Sequence, residues 1–211
     1  MQKKTVDEIF ARFSQQRPTP RIELNYINDF TLFVSVVLSA QSTDKGVNKI
    51  TPALFKKADD PHKMLALGEA GLKEYIKSIG LYNAKAKNII KACKIIVAEY
   101  NGKLPNNFDD LRKLPGVGRK TANVLLNSLF NQHTIAVDTH VFRVSNRIGL
   151  CDTKTPDATE EALHKVILDK WKKYAHHWLV LHGRYVCKAR KTMCSDCIIA
   201  DLCKFNSISS K

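Results

Sequence analysis

The chain has 211 residues, of which 44% are hydrophobic, so it can bury a core in one large or two small domains and is not expected to be disordered. Its formal net charge of +14 favours a polyanionic partner such as nucleic acid, because each neutralised phosphate adds salt-sensitive affinity; a merely well-solvated surface is the alternative. Nine Gly and seven Pro are few for this length, and no long tract alternates apolar and polar residues, so we predict a mostly helical protein.

The N-terminal residues predict an amphipathic helix and not a signal peptide. The basic start is followed by apolar residues at helical spacing and has no continuous apolar core. These apolar residues are Val6, Ile9, Phe10 and Phe13. The most apolar tract, 30–38, is too short to cross a bilayer and predicts a buried helix that begins at Asn28 or Asp29. We therefore expect no membrane partner.

Caps and stops divide the middle of the chain into further helices. Ser42, Thr43 or Asp44 can cap the helix that follows the buried one. The pair 60–61 (Asp-Pro) is a cap with a first-turn proline, and it predicts the start of another helix.

A later apolar stripe predicts a helix that opens at Asn83 and closes at 101–102 (Asn-Gly). Cys93 lies on this stripe and is therefore predicted to be a core residue.

Residues 108–130 predict a helix-hairpin-helix. FDDLRKL is a short helix, PGVG is a tight turn, and TANVLLNSLF continues as a second helix. Glycines in the turn let the backbone approach a partner, so that amides of the turn and of the second helix can hold a phosphate oxygen. A purely structural turn is the alternative. The residues expected to contact DNA are Gly116, Val117, Gly118 and Arg119.

Four of the six cysteines form a compact run near the C-terminus. They are Cys187, Cys194, Cys197 and Cys203, with six, two and five residues between successive members. This crowding predicts a metal site in a reducing compartment and not a disulfide framework. Spacing alone leaves both zinc and an iron–sulfur cluster open. Three cations within the run, Lys188, Arg190 and Lys191, would be presented to phosphates by a loop that is fixed at both ends.

Two segments, LPGVGRKTAN and VDTHVFRV, resemble the helix-hairpin-helix DNA glycosylases. From end to end, the chain is similar to one iron–sulfur branch of that superfamily, the endonuclease III family. The resemblance implies an all-α, two-lobed fold with a helical barrel lobe at 21–132 and a discontinuous lobe, 1–20 with 133–211, which carries a 4Fe-4S cluster. It also implies a bifunctional enzyme of base excision repair that removes oxidised pyrimidines from double-stranded DNA and then nicks the abasic strand on its 3′ side by β-elimination.

The resemblance assigns catalysis to Lys120 and Asp138, which would face each other across a cleft. A neutral amine can attack C1′ of the deoxyribose, expel the base and form a Schiff base. The positive field of the helix N-terminus and the neighbouring Arg119 should disfavour the charged form of Lys120. Asp138 would accept a proton and stabilise the cationic sugar; its alternative role is a helix N-cap, and the two roles can coexist.

The resemblance further implies how the enzyme contacts DNA. Gln41 and Leu81 would fill the gap that the extruded nucleotide leaves, although a solvated glutamine and a loop anchor are the ordinary alternatives. His140 is expected near the DNA, or else is a structural histidine. The four-cysteine run would bind the 4Fe-4S cluster. We expect a monomer in the cytoplasm of a prokaryote, associated with the nucleoid.

Two competing functions stay open on the sequence. A monofunctional adenine-mismatch glycosylase has a similar hairpin and cluster, but it lacks the lysine and carries an extra C-terminal domain, so Lys120 and the end at Lys211 disfavour it. A non-catalytic DNA-binding module would use the hairpin and cluster as a scaffold, and only Lys120 and Asp138 distinguish the enzyme from it.

Overall fold

A computed structural model describes residues 1–209, with the side chains of residues 1–206. Within this range the chain is helical and forms no strand, apart from one isolated antiparallel bridge between Cys187 and Thr192. The α-helices of the described residues are α1 (Lys3–Gln16), α2 (Asp29–Ser39), α3 (Asp44–Lys57), α4 (Pro61–Ile76), α5 (Tyr82–Tyr100), α6 (Phe108–Lys113), α7 (Arg119–Phe130), α8 (Thr139–Ile148), α9 (Pro156–Val166), α10 (Asp169–Tyr185) and α11 (Lys204–Ser209). None of these helices has the length and apolarity needed to span a membrane.

The chain divides into two compact units. Residues 23–130 form the continuous unit, which contains α2 to α7. Residues 1–22 and 131–211 form the discontinuous unit, in which α1 joins the helices from α8 onward.

The continuous unit is organised around α2, which is buried from Phe30 to Leu38. Asn28 caps this helix by accepting a hydrogen bond from the backbone N–H of Thr31, whose hydroxyl in turn accepts one from the N–H of Asn28. Thr43 is the cap of α3, since its hydroxyl oxygen accepts from the N–H of Gly46 at 3.1 Å. Among the residues predicted to start these two helices, the hydrogen bonds identify Asn28 and Thr43 as the caps.

Two features of the continuous unit differ in detail from the expectation. The predicted cap and proline at 60–61 do begin α4, but Gly68 has φ +70° and ψ 173°, so the helical path is kinked there. The next helix begins at Tyr82, one residue before the predicted Asn83, because Leu81 serves as its cap residue in a left-handed conformation. Cys93 is completely buried, as predicted, and burial raises the pKa of its thiol to about 12.

The core of the discontinuous unit joins the two ends of the chain. All four apolar residues predicted for the first helix are buried, and the Phe10 and Trp178 rings lie 6.1 Å apart. Arg12 extends from α1 to the cysteine-rich segment, where it donates to both carboxylate oxygens of Asp201 and to the Ile198 carbonyl oxygen. The N-terminal helix therefore supports the segment that carries the four clustered cysteines.

Candidate functional site

The predicted hairpin is present between α6 and α7. Asn107 caps α6 by accepting from the N–H of Asp110 at 2.9 Å. The turn is closed by a hydrogen bond from the Val117 N–H to the Leu114 carbonyl at 3.0 Å. Val117 is buried, whereas Gly116 and Gly118 are exposed. The hairpin thus anchors its turn through one apolar side chain and leaves the glycine backbone on either side accessible.

The two hairpin glycines serve different purposes. Gly116 has φ +88°, and a Cβ placed there would lie 3.3 Å from side-chain atoms of Val37 and Asn88. Gly118 does not have a positive φ, and a Cβ at that position would meet no atom within 4 Å. A substitution at 116 would therefore strain the turn, while the space beside Gly118 is open to an approaching ligand.

Substitution of these glycines should separate the two purposes. We expect Gly116→Ala to lower the free energy of unfolding by about 1–3 kcal/mol, because alanine is strained at this φ and contacts α2 and α5. Gly118→Ala, the matched control, should change it by less than about 0.5 kcal/mol. Urea denaturation of both variants measures the difference, and equal losses of stability would contradict this account of the turn.

The first turn of α7 carries the two cations of the motif. α7 begins at Arg119, and the side chain of Lys120, its second residue, is exposed. The Arg119 guanidinium lies 5.8 Å from the centroid of the Phe108 ring, so the first residue of α6 supports it by a cation–π contact. Lys120 therefore lies in the first turn of α7, and the contact between Arg119 and Phe108 joins the start of this helix to α6.

Gln41 and Leu81 lie in two adjoining loops of the continuous unit. Both are exposed and both have a left-handed backbone, with φ +52° and +59°, which is uncommon for residues other than glycine. A Cβ at Gly80 would lie 3.6 Å from the Gln41 carbonyl oxygen, so the two loops are in close contact. Leu81 keeps 56% of its surface exposed. The structure therefore brings these two predicted residues together, each held in a strained conformation with an accessible side chain.

Asp138 is the N-cap of α8, in the discontinuous unit. Its Oδ1 atom accepts hydrogen bonds from the backbone N–H groups of His140 and Val141, both at 2.8 Å. The segment that precedes it is buried, and the His176 ring nitrogen Nδ1 lies 2.7 Å from the Ala136 carbonyl oxygen. The cap interpretation of Asp138 is therefore confirmed. Half-buried His140 lies close by, with Nδ1 3.3 Å from Nη2 of Arg143.

The four clustered cysteines have free thiols and line a common pocket. The Sγ of Cys187 accepts from Nη1 of Arg147 at 3.6 Å, and Cys197 Sγ lies 3.7 Å from Nε2 of His182. Burial lowers the pKa of His182 to about 4, so its ring is neutral at pH 7. Burial also raises the pKa of the Cys197 thiol. Over residues 1–206, no three His, Cys, Asp or Glu side chains are grouped as ligands of a single metal ion.

The basic loop that follows Cys187 is tied to α8 through its backbone. Arg147 donates to the carbonyl oxygens of Lys188 and Ala189 at 2.8 and 2.9 Å. Arg143 donates to the Cys187 carbonyl. The three predicted cationic side chains of this loop, Lys188, Arg190 and Lys191, are exposed. α8 therefore carries Asp138 at its N-cap, and its Arg143 and Arg147, about one and two turns later, hold the backbone of the basic loop.

Sequence reasoning missed Arg143 and Arg147. They lie four positions apart on α8, and this spacing shows that they share a helical face. It does not show that their acceptors lie about forty residues further along the chain.

The family model described as "HhH-GPD superfamily base excision DNA repair protein" matches residues 34–168. This match, which covers the hairpin, defines the chain as a base excision repair protein of this superfamily. Endonuclease III of Rickettsia conorii is 58% identical over 97% of this chain and 98% of that protein. Endonuclease III of Escherichia coli K12 is 52% identical over 94% of each. The chain belongs to the endonuclease III family.

A solved relative has the same architecture. A trapped covalent intermediate of an endonuclease III with DNA aligns over 100% of both chains with a TM-score of 0.92 and 40% identity. The predicted all-α fold is confirmed. The chain is therefore a DNA glycosylase and AP lyase by family.

Proposed function

We propose that this enzyme removes oxidised pyrimidines from double-stranded DNA and nicks the resulting abasic strand through a Schiff base on Lys120. The observation that carries the proposal is the exposed lysine at the second position of the hairpin helix α7. A related endonuclease III has been trapped as a covalent intermediate with DNA, which supports a nucleophile in this family that bonds to DNA.

The chemistry follows from an amine nucleophile. The neutral nitrogen of Lys120 forms a bond to C1′ while the glycosidic bond breaks and the base leaves with its electron pair. The attacking nitrogen then loses a proton, and the C1′–O4′ bond breaks as O4′ takes up a proton, which opens the sugar ring and gives an iminium ion. Loss of a proton from C2′ then breaks the C3′–O bond and releases the 3′ phosphate. Asp138 would supply the negative charge that stabilises the cationic sugar and would accept a proton.

We propose that three parts of the protein contact the DNA. The accessible amides around Gly116 and Gly118, with Arg119, would hold a phosphate. Gln41 and Leu81 would fill the gap left by the extruded nucleotide. The exposed cations of the basic loop, with His140 nearby, would contact the backbone and contribute salt-dependent affinity. We further propose that residues 21–132 and the remainder act as separate barrel and cluster domains of a monomer in the prokaryotic nucleoid.

We propose that the four clustered cysteines ligate one 4Fe-4S cluster. Four free thiols lining one pocket form the all-thiolate donor set that such a cluster takes, and their compact run in sequence supports it. When bound, the cluster would supply four strong bonds that cross-link the chain on both sides of the basic loop. Cys187, Cys194, Cys197 and Cys203 would hold it, and their role would be to fix that loop for phosphate contact.

Removal of one ligand should release the cluster. We expect Cys197→Ser to lose iron and broad visible absorption, because a half-buried serine does not replace a thiolate. Cys151→Ser is the matched control, since Cys151 is also half-buried but lies outside the pocket. Iron content and absorption spectra of the purified proteins measure the outcome. Iron retained in Cys197→Ser, or lost equally in both, would contradict the assignment.

One gel assay tests the proposed reaction. Duplex oligonucleotides carrying a single thymine glycol are incubated with the protein and resolved under denaturing conditions. Strand cleavage without further treatment is the expected result. Cleavage that appears only after hot alkali would indicate base removal without the lyase step, and an intact strand would overturn the proposed substrate.

A further inference from the structure

Lys85 is a buried lysine on α5, one turn after Leu81, and only 5% of its surface is exposed. Its ammonium donates hydrogen bonds to the Leu38 carbonyl oxygen and to the Ser42 hydroxyl, both at 2.8 Å. Both acceptors are uncharged, so this charge is buried at a higher cost than that of a lysine paired with a carboxylate. Burial lowers the pKa of Lys85. An apolar side chain would occupy this position at a smaller free-energy cost of burial. This difference indicates that the ammonium group has a specific role.

The contacts of Lys85 connect the two loops that carry Gln41 and Leu81. Its backbone N–H donates to the Leu81 carbonyl at 3.0 Å. Its ammonium binds Ser42, the residue next to Gln41, and the last turn of α2 from which that loop leaves. Both loop residues hold left-handed backbones, and such strained conformations persist only where the surroundings enforce them.

We infer that Lys85 is a positioning residue that fixes the Gln41 loop against the Leu81 loop, so that both side chains enter the gap in the DNA as one rigid wedge. The inference rests on the proposed gap-filling role of these two residues. A wedge ordered in advance avoids the entropy cost of ordering two separate loops on the DNA.

The plain alternative is that Lys85 only stabilises the C-terminal end of α2. A cation near the carbonyls of a last helical turn is favourable in any protein. In that case, the loss of Lys85 would lower the stability of the protein, and the rates on duplex and single-stranded substrates would fall by the same factor. A wedge role would affect only substrates in which a nucleotide must leave a duplex.

The test compares two reactions of the full-length enzyme under single-turnover conditions. One is excision of thymine glycol from a duplex; the other is cleavage at a preformed abasic site in a single-stranded oligonucleotide, where no gap is opened. We expect Lys85→Met to slow the duplex reaction roughly ten- to hundredfold and the single-strand reaction by less than about twofold. Ser42→Ala, which leaves the ammonium in place but removes one acceptor, should show the same selectivity in weaker form. Lys91→Met, an exposed lysine on the same helix, is the charge-matched control.

The outcomes separate this inference from the proposed wedge itself. Combining Lys85→Met with Leu81→Ala should slow the duplex reaction by less than the product of the single effects, because both changes disable the same wedge. Equal slowing of both reactions by Lys85→Met, or no slowing of the duplex reaction, would overturn the inference. If Gln41→Ala and Leu81→Ala leave duplex excision unchanged, the gap-filling role fails first, whatever Lys85 does.

Discussion

Lys120→Ala should abolish both the excision of thymine glycol and the covalent capture of the enzyme on DNA by borohydride. The expected loss in single-turnover rate is on the order of 10⁴-fold or more, since no other group can take over a missing nucleophile. Alanine is a strong helix former, and Lys120 is exposed in the first turn of α7, so the fold should be unaffected. The measurements are the excision rate and the fraction of protein that migrates with labelled DNA after reduction.

Lys113→Ala is the matched control for this experiment. Lys113 is an exposed lysine of the same hairpin, at the end of α6, where it pairs with Asp110 at 2.6 Å. Removing an exposed pair of this kind costs little, so excision and capture should both persist. Capture that survives in Lys120→Ala would show that another amine bonds to the sugar, and the proposed mechanism would fail.

Local chemistry explains how much of the fold could be predicted. Asp60 followed by Pro61 begins α4, as a cap with a first-turn proline should. Residues 108–113 form the short helix of the hairpin. In these cases the decisive hydrogen bonds join residues three apart, so a few letters of sequence contain both partners.

Long-range packing explains what could not be predicted. Arg12 and Asp201 are 189 residues apart in sequence, and neither has a neighbour that indicates the other. Lys85 belongs to a helix whose other three lysines are exposed, and only the fold shows that it turns inward to Leu38 and Ser42. The left-handed backbone at Leu81 likewise depends on a second loop, because a leucine in isolation would not adopt it.

In the candidate site, too, local features could be predicted from the sequence and long-range contacts could not. The glycine pattern predicted a turn with an accessible backbone, and the structure adds that, of the two hairpin glycines, only Gly116 has a backbone conformation and close neighbours that favour glycine. The run of cysteines predicted a metal site, and the structure adds that all four line one pocket. The arginines of α8 that hold the adjoining loop were not apparent. The catalytic assignment of Lys120 and Asp138 rests on family resemblance and remains a prediction, because an exposed lysine and a capping aspartate each have an ordinary structural role.

Asp138→Asn should therefore separate the chemical role of this residue from its role as a cap. Asparagine caps helices as well as aspartate does, and its Oδ1 can accept the same two backbone N–H groups that bind Asp138 at 2.8 Å. Stability should change by less than about 1 kcal/mol, the value of a carboxylate at a helix N-terminus. Excision should fall about 10²- to 10⁴-fold, because the neutral amide neither accepts the proton nor stabilises the cationic sugar.

Two further variants calibrate this result. Asp138→Ala removes the cap as well, so it should lose about 1 kcal/mol more in stability while excision falls no further. Asp60→Asn makes the same chemical change at the cap of α4, where the side chain accepts from the Lys63 N–H at 2.9 Å, and should leave excision intact. Thermal unfolding and single-turnover excision measure the two effects independently. If Asp138→Asn kept full excision with its helix in place, capping would account for this aspartate, and the charge that stabilises the sugar would have to come from another residue.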